Sequence, residues 1–169
     1  MTDTRSETAR DVLLACLAVP RWADEVAAGV PYSGVDALAE AAERVARTLT
    51  GAEVDAALAD HPRIGERHAG AGRSSAFSAA EQAASRTGDE ALTERLLSGN
   101  RAYEERFGRV FLIRAAGRDR AEVVAELERR LGLDSETEAR VVAEQLREIT
   151  VLRVRGLEDG LLVAGEASR

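Results

Sequence analysis

One of the two histidines among the 169 residues, His61, stands directly before a proline, in the run Asp60-His61-Pro62-Arg63-Ile64-Gly65. A proline shifts the residue before it towards extended dihedral angles, so His61 is expected just past the end of the helix predicted for residues 53–60. A histidine on such a bend is presented to its surroundings and can exchange a proton near neutral pH. The pattern favours either a proton-transfer group or a ring that hydrogen-bonds a local backbone carbonyl group.

A glutamate follows a serine at the spacing that starts many helices. Glu81 stands three residues after Ser78, as in a capping box. In the first turn of a helix the helix dipole also keeps a carboxylate ionised. The sequence therefore leaves two roles open for Glu81: a helix cap, or an acceptor in a polar corner formed with the Ser78 hydroxyl group.

The last predicted helix carries an arginine on its apolar side. Val142, Leu146 and Ile149 form a stripe with helical spacing. Arg153 falls about 20° from the same line, at about 100° per residue. An arginine that faces the core is costly unless it meets an anion or extends to solvent at the helix end. The position indicates either a guanidinium group that awaits a carboxylate or an arginine that reaches solvent.

Helices are predicted along the whole chain, because apolar residues recur every three or four positions. The predicted helices span about 6–18, 35–49, 53–60, 78–85, 89–106, 119–131 and 135–156, with a short segment around Trp22 between the first two. Capping boxes are predicted at Thr50, Ser78 and Ser135. Residues 110–113 form a short apolar run, either strand-like or extended and buried, and no alternating strand pattern is present. The sequence therefore predicts an all-α, single-domain helical bundle of about seven to nine helices over residues 1–169.

Composition excludes several classes of protein. The formal net charge is -7, so the basic surface of a nucleic-acid-binding or membrane-binding protein is absent. All 23 basic residues are arginines, which excludes covalent catalysis by an internal lysine. The single cysteine, Cys16, excludes an internal disulfide and is predicted to be a buried thiol. His68 has no partner at metal-ligand spacing, so no metal site is predicted.

The location of the protein is inferred from two further absences. No apolar run approaches the roughly 20 residues of a membrane span. The polar N-terminus is unlike a signal peptide. The sequence is therefore expected to be that of a soluble, cytoplasmic protein.

Six motifs follow one another along nearly the whole chain. They are His61-Pro62-Arg63-Ile64-Gly65, Ser78-Ala79-Ala80-Glu81-Gln82, Asn100-Arg101-Ala102-Tyr103, Phe107-Gly108, Phe111 through Gly117, and Ile149-Thr150-Val151-Leu152-Arg153. In this order they resemble the motifs of the 2-oxo-4-hydroxy-4-carboxy-5-ureidoimidazoline (OHCU) decarboxylase family. The combination of the His-Pro motif with the Ser-x-x-Glu-Gln block is a specific signal.

The resemblance implies an all-α homodimer that decarboxylates OHCU to (S)-allantoin in urate degradation, without metal or organic cofactor. It implies catalytic roles for His61, Glu81 and Arg153. It also implies that eight residues line the substrate: Pro62, Ser78, Gln82, Phe111, Leu112, Ile113, Arg114 and Ala115.

Two alternatives remain at the level of the sequence. One is a non-catalytic helical module that binds a purine-derived ligand or an enzyme of urate breakdown, although such a module would be expected to lose one of the three catalytic residues. The other is a related decarboxylase for a different ureido acid, because Arg109 and Val110 stand where many family members carry an aromatic residue and a proline.

Overall fold

The computed structural model describes residues 4–59, 61–65, 90–157 and 162–163. Helices and loops make up this part of the chain, with one isolated bridge between Tyr32 and Val163, so the predicted all-α class is confirmed. None of the helices described is both long and apolar enough to cross a membrane. The helices are α1 (Thr4–Cys16), α2 (Pro20–Ala27), α3 (Val35–Ala46), α4 (Gly51–Ala59), α5 (Glu90–Phe107), α6 (Arg120–Leu131) and α7 (Ser135–Arg155).

The chain divides into two compact units. Unit 1 comprises Met1–Ala57 and Arg147–Arg169, and unit 2 comprises Leu58–Leu146. Unit 1 thus contains α1 to α3, most of α4 and the C-terminal part of α7. Unit 2 contains α5, α6 and the N-terminal part of α7.

The core of unit 1 forms around a tryptophan on α2, a helix that packs against both α1 and α3. Trp22 is fully buried, and its indole Nε1 donates a hydrogen bond of 3.0 Å to the carbonyl oxygen of Ala42 on α3. Cys16, the last residue of α1, is also buried, which confirms the prediction of a buried thiol. The segment around Trp22 is therefore a complete short helix, which begins at Pro20 because proline suits the first helical position.

The start of α4, the helix that leads to His61, follows its predicted capping box. The backbone N–H group of Thr50 donates to Glu53 Oε2 at 2.8 Å, and the N–H group of Glu53 donates to the Thr50 hydroxyl oxygen at 3.2 Å. A similar box, which the sequence reading did not single out, joins Asp119 and Glu122 at the start of α6. Both boxes pair backbone donors that have no partner inside the helix.

The capping box predicted at Ser135 is wrong. Asp134 caps α7 instead, because its carboxylate accepts a hydrogen bond of 2.9 Å from the backbone N–H group of Thr137. That bond lowers the pKa of Asp134 below its ordinary value. Glu138, the predicted partner of Ser135, is 1% exposed and hydrogen-bonds Arg130 and Tyr103. Glu138 therefore forms a buried ion pair with Arg130 and does not cap the helix.

The core of unit 2 lies between α5 and α6 and includes two loops. Phe111 through Ala115 run between these helices as an irregular segment in which every side chain except that of Arg114 is buried, which agrees with the burial predicted for residues 110–113. Gly108 ends α5 with φ of 66°, in the left-handed region that glycine adopts readily. The apolar cluster consists of Ile64, Leu96, Tyr103, Phe111, Ile113, Ala115, Val123, Val124 and Leu127.

Candidate active site

His61 lies just past the end of α4, as its position before a proline predicts. Its backbone N–H group donates a hydrogen bond of 3.0 Å to the carbonyl oxygen of Leu58, which closes the last turn. The residue is half-buried, and its Nε2 atom is shielded from solvent. Pro62 is also half-buried. The histidine therefore stands at a bend just after α4, with Nε2 enclosed by protein.

The residues that follow His61 are held by the helix α5. Asn100 Nδ2 donates a hydrogen bond of 3.0 Å to the carbonyl oxygen of Ile64. Arg63 Nη2 donates to Glu104 Oε2 at 2.7 Å. This interaction lowers the pKa of Glu104 below its ordinary value, so the pair remains charged at neutral pH. Two contacts one helical turn apart on α5 therefore fix the loop of residues 61–65.

The loop of His61 and the segment Phe111–Ala115 share one core. Ile64 belongs to the same apolar cluster as Phe111, Ile113 and Ala115. The structure thus brings together two of the regions that the sequence assigned to the site. Both regions belong to unit 2.

The side chains of the segment Phe111–Ala115 mostly face the core. Phe111, Leu112, Ile113 and Ala115 are each 6% exposed or less. In contrast, Arg114 is half-buried. Contact between this segment and a ligand would therefore involve backbone groups more than side chains.

Side chains from α6 and α7 bind the backbone of this segment on both sides of Ile113. Arg130 Nη1 donates a hydrogen bond of 2.7 Å to the carbonyl oxygen of Leu112. Gln145 Oε1 accepts one of 2.9 Å from the backbone N–H group of Arg114. No hydrogen bond within the described chain engages the N–H or carbonyl group of Ile113 itself.

A buried polar cluster that the sequence reading missed supports Arg130. Its guanidinium Nε donates to Glu138 Oε1 at 3.0 Å, and the Tyr103 hydroxyl group also donates to Glu138. Arg130 is 0% exposed and its Cζ lies 4.7 Å from the centroid of the Phe111 ring. Burial and the hydrogen bond to Glu138 raise the pKa of Tyr103, so the hydroxyl group stays protonated.

A signal for this cluster existed in the sequence. Val123, Leu127 and Arg130 have the spacing i, i+4 and i+7 of one helix face. This is the same argument that identified Arg153, and it would have predicted an inward arginine on α6. Glu138 likewise precedes the apolar stripe of α7 by four residues.

Arg153 is buried, as the apolar stripe of α7 indicates. It is 4% exposed, and the stripe residues Val142, Leu146 and Ile149 are buried as well. The guanidinium Nη1 donates a hydrogen bond of 3.2 Å to the carbonyl oxygen of Cys16, the last residue of α1. Carbonyl groups at a helix C-terminus lack intrahelical partners and attract cations. Arg153 belongs to unit 1.

Five residues considered in the sequence lie outside the described part of the chain. They are Ser78, Glu81 and Gln82 of the predicted site, together with Arg67 and His68. Their roles stay predictions.

Comparison with known proteins gives one family and two similar structures. A family model described as OHCU decarboxylase matches residues 2–155. A crystal structure of OHCU decarboxylase in the presence of (S)-allantoin is similar to the chain with a TM-score of 0.70 and 22% identity, over 85% of this chain and 94% of that one. A crystal structure of (S)-allantoin synthase is similar with a TM-score of 0.64 and 20% identity, over 88% of this chain and 49% of that one. No curated protein sequence matches at a significant level. At these identities the two structures establish a shared fold.

Proposed function

The chain belongs to the OHCU decarboxylase family, and we propose that it converts OHCU to (S)-allantoin without a metal ion or an organic cofactor. The observation that carries the proposal is the match of one family model to residues 2–155, a range that contains every residue assigned to the site from the sequence. The same match runs through both compact units, which supports the proposal that they act as a single domain.

The reaction places three demands on the protein. The bond between the ring carbon and the carboxylate breaks, and its electron pair passes into the neighbouring imine and carbonyl system of the substrate. A ring carbon then takes up a proton on one face, which sets the configuration of allantoin. The substrate itself delocalises the electrons, so the protein needs only to orient the carboxylate, stabilise the developing charge and deliver the proton.

His61 is the proposed proton-transfer group, either as the donor or through the substrate hydroxyl group. Histidine is the side chain that most easily exchanges a proton near neutral pH, which suits transfer in either direction. The contacts of Asn100 with Ile64 and of Arg63 with Glu104 support this role, because they hold the loop that carries the ring. Pro62 would limit the conformations of His61 and contact the substrate.

Glu81 is proposed to accept hydrogen bonds from the ureido N–H groups of the substrate. A carboxylate in the first turn of a helix stays ionised, which suits a permanent acceptor. Ser78 and Gln82 would complete the polar contacts around it. Together they would present one face of the ring to His61.

Arg153 is proposed to pair with the substrate carboxylate or with the oxyanion that forms as carbon dioxide leaves. Its burial supports this role, because a guanidinium group that is shielded from water interacts more strongly with an anion. The planar guanidinium group can also donate two parallel hydrogen bonds to a carboxylate.

The segment Phe111–Ala115 is proposed to bind the ring carbonyl groups of the substrate through its backbone. The burial of its apolar side chains supports this mode, as does the N–H group of Ile113, which no described residue engages. Backbone donors held in advance are effective oxyanion ligands because they need no reorganisation during the reaction.

We also propose that the protein is cytoplasmic and, as the resemblance implies, that it forms a homodimer. Light scattering coupled to size-exclusion chromatography tests the dimer directly. A single species at the mass of one chain, 18.1 kDa, over the working concentration range would contradict it.

The decisive experiment follows the optical activity of allantoin. Freshly generated OHCU decays by itself to racemic allantoin, so circular dichroism separates the enzymatic product from the spontaneous one. We expect rapid growth of the (S)-allantoin signal with the purified protein, unchanged by a chelator. Optically inactive product at the spontaneous rate would overturn the proposed function.

Histidine variants then locate the proton transfer. His61→Asn is expected to abolish the signal with the far-ultraviolet helicity intact. His68→Asn, which removes the other histidine of the chain, is the matched control and is expected to retain activity. Full activity of a well-folded His61→Asn protein would remove His61 from the mechanism.

A further inference from the structure

The backbone around Ile113 is fixed by side chains rather than by a neighbouring strand. The carbonyl group before Ile113, that of Leu112, accepts from Arg130 at 2.7 Å. The N–H group after it, that of Arg114, donates to Gln145 at 2.9 Å. The peptide groups on both sides of Ile113 are therefore held, and no described residue hydrogen-bonds the N–H or carbonyl group of Ile113 itself.

Helix α7 provides both contacts, one directly and one through Arg130. Glu138 and Gln145 are seven residues apart, so they lie on the same face of this helix. Gln145 reaches the segment itself. Glu138 binds Nε of Arg130 and thereby turns Nη1 towards Leu112.

The buried Arg130–Glu138 pair is not needed to stabilise the core. Both side chains are 1% exposed or less, and the free-energy cost of removing two charges from water is such that apolar residues of similar volume often stabilise a core as well or better. What apolar residues cannot supply is a donor directed at the Leu112 carbonyl group. The chemistry of the cluster therefore fits a role in setting backbone geometry.

We propose that Arg130, Glu138 and Gln145 are positioning residues, which hold the backbone of residues 112–114 in the conformation that binds the substrate ring. The proposal rests on the proposed function of the segment Phe111–Ala115. It extends the site from groups that touch the substrate to a buried network behind them.

Gln145 offers the first test, because it is only partly buried and its replacement leaves no buried charge. Gln145→Leu removes the acceptor for the Arg114 N–H group, whereas Gln145→Glu keeps one. We expect Gln145→Leu to raise KM about tenfold, the effect of one hydrogen bond, and to lower the enantiomeric excess of allantoin. Gln145→Glu is expected to restore both values towards those of the wild type.

The buried cluster offers a second test with a neighbouring control. The triple variant Arg130→Met, Glu138→Leu and Tyr103→Phe removes all three polar side chains together and leaves no unpaired charge in the core. We expect a folded protein with a raised KM and a lowered enantiomeric excess. Arg129→Met is the control, because Arg129 pairs with Glu126 on the surface of the same helix. It is expected to behave as the wild type.

These readouts separate positioning from a purely structural role. A loss of folded protein lowers the apparent kcat in proportion but changes neither KM nor the enantiomeric excess of the enzymatic product. Wild-type KM and enantiomeric excess in folded Gln145→Leu protein would overturn the positioning proposal. If the wild-type protein itself forms no excess of (S)-allantoin, the proposed function fails instead.

Discussion

Asn100 on α5 donates a hydrogen bond of 3.0 Å from Nδ2 to the carbonyl oxygen of Ile64, three residues after His61. Asn100 is 3% exposed, so this is a buried contact that water does not replace. Position 64 also places an apolar side chain in the cluster between α5 and α6. The loop that presents the histidine is thus fixed through both its backbone and its side chain.

Replacing Asn100 tests whether this contact matters for catalysis. We expect Asn100→Leu to lower the free energy of unfolding by about 1 to 3 kcal/mol, because the buried carbonyl group of Ile64 loses its donor. We also expect kcat/KM to fall about 10- to 100-fold, since small displacements of a reacting group are costly. Urea unfolding and steady-state kinetics measure the two effects.

Ser98→Ala provides the control for the Asn100 variant. Ser98 lies on the same helix, is exposed, and bonds only to the carbonyl oxygen of Arg95 in its own turn. Its replacement is expected to leave kcat/KM unchanged. Reduced stability of Asn100→Leu with wild-type kcat/KM would show that His61 does not depend on this anchor.

Gly65 is required by the backbone at the end of the same loop. Its φ is 91°, and a Cβ atom added there would stand 2.9 Å from Cδ2 of Leu96. We expect Gly65→Ala to lower the free energy of unfolding by about 1 to 2 kcal/mol from backbone strain alone. The clash with Leu96 adds to this cost, and kcat/KM falls as the loop shifts.

Two further variants separate the causes at Gly65. Adding Leu96→Val to Gly65→Ala shortens the opposing side chain but leaves the strained φ. The free energy of unfolding is therefore expected to recover only in part. Gly51→Ala is the control, because a Cβ atom there meets nothing within 4 Å. Equal stability of the Gly65→Ala and Gly51→Ala proteins by urea unfolding would contradict the argument.

Structural features that depend on local sequence patterns were predicted correctly. The N-cap of α7, where two such patterns compete, was not. Periodicity located most of the helices that the structure describes, together with the buried Arg153, and proline placed His61 at a bend. At the start of α7, however, Asp134 and Ser135 are both good N-caps. Asp134 caps the helix because Glu138 forms an ion pair with Arg130 on another helix and therefore does not form a capping box with Ser135. That contact depends on tertiary packing, so helix-start signals alone could not identify it.

The site was predictable from the sequence only in part, for a similar reason. Arg130 lies on an apolar stripe as Arg153 does, so its burial could have been foreseen. The hydrogen-bond acceptor of Arg130 could not have been predicted, because the Leu112 carbonyl group is a backbone acceptor in an irregular segment. No residue pattern encodes which backbone group a side chain will meet.

The pair Arg21–Glu53 is expected to make the stability of the protein depend on pH. Hydrogen bonds from Arg21 lower the pKa of Glu53 to about 2, against an ordinary value of 4.5. A carboxyl group with a lowered folded-state pKa stabilises the protein above its unfolded-state pKa, and this contribution is lost as the pH falls through the folded-state value. We therefore expect the wild type to exceed Glu53→Gln in free energy of unfolding at neutral pH.

Urea unfolding at a series of pH values checks this difference. It is expected to shrink as the pH falls from 4.5 towards 2, the interval between the two values of the Glu53 pKa. Other carboxylates titrate in both proteins, so their effects cancel in the comparison. Salt at about 1 M is expected to reduce the difference at neutral pH by screening. A difference that stays constant down to the lowest pH would refute the assignment.

Arg153 allows the sharpest test of the proposed chemistry, because two roles predict different kinetics. Arg153→Met is expected to lower kcat/KM about 10- to 100-fold, the cost of losing hydrogen bonds from a charged donor. Arg153→Lys keeps the charge but loses the planar fork, so its activity should be intermediate. Arg155→Met is the control, since Arg155 is exposed and pairs with Asp36.

The division of the loss between kcat and KM then assigns the anion that Arg153 binds. A rise in KM with unchanged kcat indicates a contact made equally in the ground state, which is the substrate carboxylate. Equal falls in kcat and kcat/KM indicate a contact made only as charge develops, which is the oxyanion. Wild-type values for both constants in a folded Arg153→Met protein would remove Arg153 from the site.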